Sequence, residues 1–101
     1  MSKKILISDP TLRDGNHAVR HQLNRESFTQ YCMAAEMAGV PIVEVGHGNG
    51  LGASSLLVCE SLLSDEEILT ISRDNLHRSL LGIHVIPGFC TIKRDLHSAI
   101  D

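Results

Sequence analysis

The stretch from Asp9 to His17 (Asp9-Pro10-Thr11-Leu12-Arg13-Asp14-Gly15-Asn16-His17) gathers more chemistry than any other part of this chain. Asp14 is a hard oxygen donor of the kind that Mg²⁺ or Mn²⁺ prefers, Arg13 carries a fork of N–H groups suited to a carboxylate, and His17 offers an imidazole that can serve as an acid or base. An anion clamp, a metal anchor and a proton carrier thus lie within five residues. A plainer arrangement uses the same residues as a helix-entry loop, with Arg13 and Asp14 paired to each other and His17 in water. His21, after Arg20, is either a further ligand or donor, or a surface residue ahead of a helix cap. Asp9 either contacts a metal or hydrogen-bonds the turn around Pro10.

A second candidate region runs from Gly46 to Ser55. Gly46, Gly48, Gly50 and Gly52 stand at every second position, which suits a backbone that must approach something closely, or a loop that must move. His47 lies among them. Gly48-Asn49-Gly50-Leu51-Gly52-Ala53 formally fits a dinucleotide turn, but such a turn enters a helix at once, and the nearest clear helix cap here is Ser64. Glu44 is charged within an otherwise apolar run, so it is either buried with a partner such as Arg13 or part of a site. Pro87-Gly88-Phe89-Cys90 reads as a strand-to-helix turn. Cys32 and Cys59 read as packed thiols, and His77, His84 and His97 as surface or satisfied interior residues.

These groups need a scaffold, and the apolar pattern supplies one. Ile5-Leu6-Ile7, Pro41 to Val45 and Leu80 to Ile86 are short continuous apolar runs, the mark of strands buried on both faces. Between the first two, Asn24 can cap a helix in which Phe28, Tyr31, Cys32, Ala35 and Ala38 recur at helical spacing, with Gly39 closing it. Ser64-Asp65-Glu66-Glu67 forms a capping box for a second helix of about four turns, carrying Ile68, Ile71 and Leu76 and interrupted by Ser72 and Asn75. Thr91 opens a third through Leu96, Ala99 and Ile100. Strand and helix alternating three times predict right-handed crossovers and a parallel α/β sheet, either open or part of a barrel. In both, ligands bind beyond the C-terminal ends of the strands, where Arg13, Asp14, His17, His47 and Gly48 fall. Three strands cannot close an eight-stranded barrel of about 250 residues, so the outer edges of the first and third would stay apolar and unpaired.

Composition narrows the function classes. Nine Lys and Arg against twelve Asp and Glu, a net charge of −3 and three aromatics argue against nucleic acid as a partner. Three widely spaced cysteines offer no disulfide frame or zinc finger, which fits a reducing compartment. The polar start MSKK runs into only three apolar residues, too few for a secretory or membrane segment, so the cytoplasm is the expected location.

With these residues in view, a family resemblance emerges. Thr11-Leu12-Arg13-Asp14-Gly15 is similar to the opening of a broad group of metal-dependent aldolase and lyase barrels. His17-Ala18-Val19-Arg20-His21-Gln22 and Val45-Gly46-His47-Gly48, with Gly50-Leu51-Gly52, resemble the 4-hydroxy-2-oxovalerate aldolases in particular. The resemblance implies the first three βα units of a (β/α)8 barrel, with residues 1–101 forming a partial domain truncated at its C-terminus. It also implies cleavage of 4-hydroxy-2-oxopentanoate to pyruvate and acetaldehyde with a divalent metal, Mn²⁺ first and Mg²⁺ or Co²⁺ otherwise. On that basis Asp14 ligates the metal, Arg13 binds substrate and steadies the enolate, His17 handles the proton of the 4-hydroxyl, and His47 and Gly48 contact substrate. The family's remaining metal ligands are histidines on a late strand, beyond Asp101. An acylating acetaldehyde dehydrogenase is the implied partner, and breakdown of aromatic hydrocarbons the implied setting. Asn16, Asn49, Ala53 and Cys90 depart from the family's usual residues. The competing expectations are a non-catalytic truncated remnant or part-barrel that self-associates, homo-oligomeric or prone to aggregate, and another lyase or synthase of the same barrel group; a nucleotide-binding module is a third.

Overall fold

The computed structural model of the protein describes residues 5–55, 59–90 and 95–100. Its elements are β1 (Ser8–Leu12), a short 3₁₀ helix (Asp14–Val19), α1 (Arg25–Ala38), β2 (Ile42–Val45), α2 (Asp65–Asn75), β3 (Leu80–Gly82) and α3 (His97–Ile100). The strands form one parallel sheet in the order β1-β2-β3. This is the α/β architecture of consecutive βα units, consistent with part of a barrel. The expected opening of α3 at Thr91 lies outside the described residues.

The helices begin and end where local chemistry directs. The Asn24 side chain accepts from the Ser27 N–H, and Gly39 closes α1 in the left-handed region at φ 75°. Ser64 and Glu67 exchange the reciprocal bonds of a capping box at the start of α2. That helix is 11 residues long, nearer three turns than four. Phe28, Cys32 and Ala35 of α1, Ile68 and Ile71 of α2 and Leu76 just after it join Leu12, Val43, Val45 and Leu63 in one buried cluster. Ser72, an interruption in the apolar stripe, is nonetheless fully buried: its hydroxyl donates to the Ile68 carbonyl at 2.7 Å, which removes the cost of its polarity.

Two strands differ from expectation, for reasons that lie in their neighbours. β1 is not Ile5–Ile7 but the polar segment that follows. Its ladder begins where the Ile42 N–H meets the Ile7 carbonyl at 3.2 Å, and the next pairs are Ser8 with Ile42 and Asp9 with Val43. It cannot start earlier, because Pro41 has no N–H and the Val40 N–H is used by the Ala35 carbonyl at the end of α1. Ile5, Leu6 and Ile7 therefore lie exposed, at 83%, 61% and 65%, rather than buried on both faces. Pro10, also without a donor, sits where the β1–β2 register slips between Asp9 and Leu12. β3 stops at Gly82 instead of Ile86. Beyond it the His84 carbonyl turns to accept the Leu51 N–H at 2.8 Å, so the loop after β2 replaces the strand as partner.

Side chains alternate along β2. Val43 and Val45 enter the core, and Ile42 and Glu44 fall on the other face, the one a closed barrel would turn inward.

Candidate functional site

The C-terminal ends of β1 and β2 bring the two chemistry-bearing segments together. Arg13, directly after β1, reaches across to β2: its Nε donates to Glu44 Oε1 at 2.7 Å and its Nη1 to the Gly48 carbonyl at 3.0 Å. Of the two possibilities for Glu44, burial beside Arg13 is the one realised, with both side chains less than one-fifth exposed. A guanidinium bound through Nε by a carboxylate and through Nη1 by a carbonyl is fixed in place, and its Nη2 group makes no hydrogen bond among the described residues. Asp14 lies beside it, 3.6 Å from Nη1, with a side chain that is 66% exposed. Asp9 is committed elsewhere, accepting from both the amide and hydroxyl of Thr11 and from the Tyr31 hydroxyl. Burial works to raise its carboxyl, but those hydrogen bonds outweigh it and hold the group below the usual range.

His17 is exposed in the 3₁₀ helix and presses against Gly48. A Cβ built on Gly48 would fall 2.2 Å from His17 Nε2, so that glycine is required by the imidazole. Gly50 and Gly52 make the same kind of room, against the protein's own backbone. Gly50, at φ 93°, would place a Cβ 2.4 Å from the His84 carbonyl oxygen, and Gly52 would place one at the same distance from that of Phe89. Among the described residues no helix follows Gly52 until Asp65, so they do not show the geometry of a dinucleotide turn.

The expectation that His47 contacts substrate does not fit its surroundings. The ring is wholly buried, Nδ1 accepts from the Asn49 N–H at 3.1 Å, and Nε2 lies 2.7 Å from the Cys59 carbonyl. With Nδ1 accepting, Nε2 must donate, and neither nitrogen is left for a ligand.

His21 is also not the surface residue its position suggested. Arg20 and His21 both adopt left-handed backbone, at φ 53° and 60°, which turns the His21 ring inward until only 2% of the residue is exposed. The ring stacks on His47 with centroids 3.6 Å apart and planes within 6°, and meets the edge of His17 at 5.0 Å. Its Nε2 accepts the buried Gly48 N–H at 3.0 Å, which leaves the proton on Nδ1, a buried atom with no partner among the described residues. Burial, and then the proximity of His47 and His17, lower the His21 pKa to about 4. Asn16, equally buried, donates from Nδ2 to the Gly46 carbonyl at 2.9 Å. The sequence left His21 open between a ligand or donor and a surface residue, and marked Asn16 only as a departure from the family's usual residues. The available signal was a histidine four residues after another in a segment too short and polar to be a stable helix.

For a metal, the donor chemistry fits at one corner. The Asp14 carboxylate is exposed and hard, but among the described residues no group of three His, Cys, Asp or Glu side chains is placed to hold an ion. No described helix is long and apolar enough to cross a membrane.

No protein-family model matches the chain. Individual proteins do. The chain is 73% identical over 101 residues to a 4-hydroxy-2-oxovalerate aldolase of Pectobacterium atrosepticum, a match covering 100% of this chain and 29% of that protein. It is 58% identical over 97 residues to one from Spirochaeta aurantia, covering 96% of the chain and 28% of the relative. With a 4-hydroxy-2-oxovalerate aldolase 2 of Salinispora arenicola the identity is 54% over 101 residues, again 29% of that protein. Along its whole length, then, the chain is similar to 4-hydroxy-2-oxovalerate aldolases, and it spans just under a third of the length of these relatives.

Proposed function

We propose that this chain supplies Arg13, Asp14 and His17 to the active site of a divalent-metal aldolase that cleaves 4-hydroxy-2-oxopentanoate to pyruvate and acetaldehyde. The observation that carries the reading is the Gly48 peptide. Its carbonyl holds Arg13 while its Cα lies against the His17 ring, so a fixed cation and an exposed imidazole share one support. Retro-aldol cleavage needs those two groups at neighbouring places. His17 takes the proton of the 4-hydroxyl as C4–O becomes a carbonyl, and the electron pair of the C3–C4 bond passes into an enolate. Arg13, already desolvated and oriented by Glu44, stabilises the negative charge that grows on the enolate oxygen, where electrostatic preorganisation is most effective. The enolate then takes a proton at C3 to give pyruvate. Asp14 would hold one side of the cation, Mn²⁺ first and Mg²⁺ or Co²⁺ otherwise, with the other donors outside the described residues. When bound, the ion supplies Lewis-acid polarisation of the 2-oxo group. Gly48 borders the substrate and His47 supports the loop behind it. The same reading places the protein in the cytoplasm, in aromatic hydrocarbon breakdown, delivering its aldehyde to an acylating acetaldehyde dehydrogenase.

The test joins this chain in frame to the rest of the Pectobacterium relative and follows pyruvate release from 4-hydroxy-2-oxopentanoate. Cleavage should disappear with chelator and return with Mn²⁺, and His17→Ala should reduce kcat by about 10²-fold or more. A folded fusion that cleaves no 2-oxo acid would refute the proposal.

A further inference from the structure

We propose that His21 is a positioning residue of this site, acting through the Gly48 peptide to set both Arg13 and His17. The inference deepens the aldolase reading and rests on it for its catalytic consequence, but its geometry stands separately. One peptide unit meets three side chains. The Gly48 N–H donates to His21 Nε2 at 3.0 Å, its carbonyl accepts from Arg13 Nη1 at 3.0 Å, and its Cα abuts the His17 imidazole. Turning that peptide would move the acceptor that orients the guanidinium and the surface that backs the imidazole. His21 is the only one of the three that holds the peptide by its N–H, and the protein invests heavily in placing it. The residue sits at the second of two consecutive left-handed positions, a conformation that side chains with a Cβ rarely adopt. The turn is fastened by the His21 N–H on the Asn16 carbonyl at 2.8 Å and by the Leu62 N–H on the His21 carbonyl at 2.8 Å. Stacking on His47 fixes the ring plane, and Asn16 holds the same loop one residue earlier through the Gly46 carbonyl. His21 is too deeply buried, and its accepting nitrogen too fully used, to touch substrate itself.

The experiment uses the fusion with the Pectobacterium remainder and two substitutions. His21→Phe keeps a ring to stack on His47 but has no acceptor; His21→Gln offers an amide oxygen at similar reach. The Phe variant should lower kcat by about 10- to 100-fold with KM little changed, since displacement of positioned groups is felt in the chemical step. It should also speed hydrogen exchange at the Gly48 amide, and the Gln variant should recover most of both losses. Equal kcat and equal Gly48 exchange in folded Phe variant and parent overturn the proposal, as does a Gln variant no better than Phe. Should the Phe variant fail to fold, ¹⁵N-histidine spectra of the unsubstituted protein decide: a bare His21 Nε2 supports the proposal and a protonated one overturns it. Absence of cleavage in the parent fusion would sink the aldolase reading alone, because Gly48 exchange and the His21 tautomer report on positioning without it.

Discussion

Arg13 is held by a carboxylate on Nε and a carbonyl on Nη1, a geometry that only a planar fork can satisfy. Arg13→Lys keeps the charge but cannot meet both partners, so it should lower kcat by about 10²-fold in the fused protein. Gly48→Ala asks a narrower question. The new methyl must displace the His17 ring, whose far end is exposed and able to move, so thermal stability should change little while kcat falls steeply. Equal kcat for Ala and Gly would show that the ring position does not matter. His21 gives a stability signature of its own. The unfolded chain protonates it near pH 6.5, whereas the folded protein, with His17 and His47 facing the ring, resists until about pH 4. Its contribution is therefore complete above pH 6.5 and is lost as pH falls through about 4, amounting to up to about 3 kcal/mol, and His21→Gln should remove that dependence from a pH series of thermal unfolding. Arg13, Asp14 and His17 stand out in the sequence because they lie within five residues of one another directly after a strand. His21 does not, since its burial depends on two left-handed residues, and no rule of composition assigns that conformation to Arg and His. His47 misled for a related reason: its ring nitrogens are taken by Asn49 and Cys59, and the second of these comes from a loop twelve residues away.

At the level of elements, what local chemistry controls was readable and what pairing controls was not. The caps of α1 and α2 and the left-handed Gly39 follow from side chains a few residues apart, and Ser64→Ala should cost about 1 kcal/mol in thermal or chemical unfolding. The extent of β1 instead depends on what Pro41 and Val40 leave for it to bond, information that lies thirty residues away in another element. Glu36 is a second case of distant control. From α1 its carboxylate accepts the N–H groups of His77, Arg78 and Ser79, which stitches the turn between α2 and β3 to the first helix. Those backbone bonds, from Ser79 and Arg78 first, hold its pKa down to about 2 against an ordinary 4.5. A depressed acid stabilises the fold above its unfolded pKa, so this contribution is whole above pH 4.5 and is lost as pH falls through about 2. Glu36→Gln should lower the unfolding temperature at neutral pH and flatten that acidic limb, leaving the His21 limb between pH 6.5 and 4 intact. A variant whose acid profile matched the parent would show that Glu36 does not brace the turn.

For the whole molecule the decisive fact is a three-stranded sheet whose two outer sides are open among the described residues. Ile5, Leu6 and Ile7 lead into one outer strand, and Leu80 and Leu81 lie on the other, at 63% and 36% exposure. These are the apolar runs that the sequence marks as buried on both faces, and nothing among the described residues covers them. Apolar side chains beside unpaired strand edges invite association with other chains. The protein expressed as these 101 residues should therefore form dimers or larger species whose proportion rises with concentration in sedimentation velocity. Joined to the remainder of the Pectobacterium aldolase, the same surfaces should be buried and the species sharp in size. Replacing Ile5 and Ile7 together by Lys separates the two situations. Charge on an exposed run should reduce association of the short chain, whereas in the fusion it would have to be buried against the neighbouring strand and should destabilise the fold by several kcal/mol. If instead the double variant leaves the fusion as stable as its parent, the run is not a covered barrel strand. The short chain would then have to be understood by its own self-association rather than as a segment of an aldolase barrel.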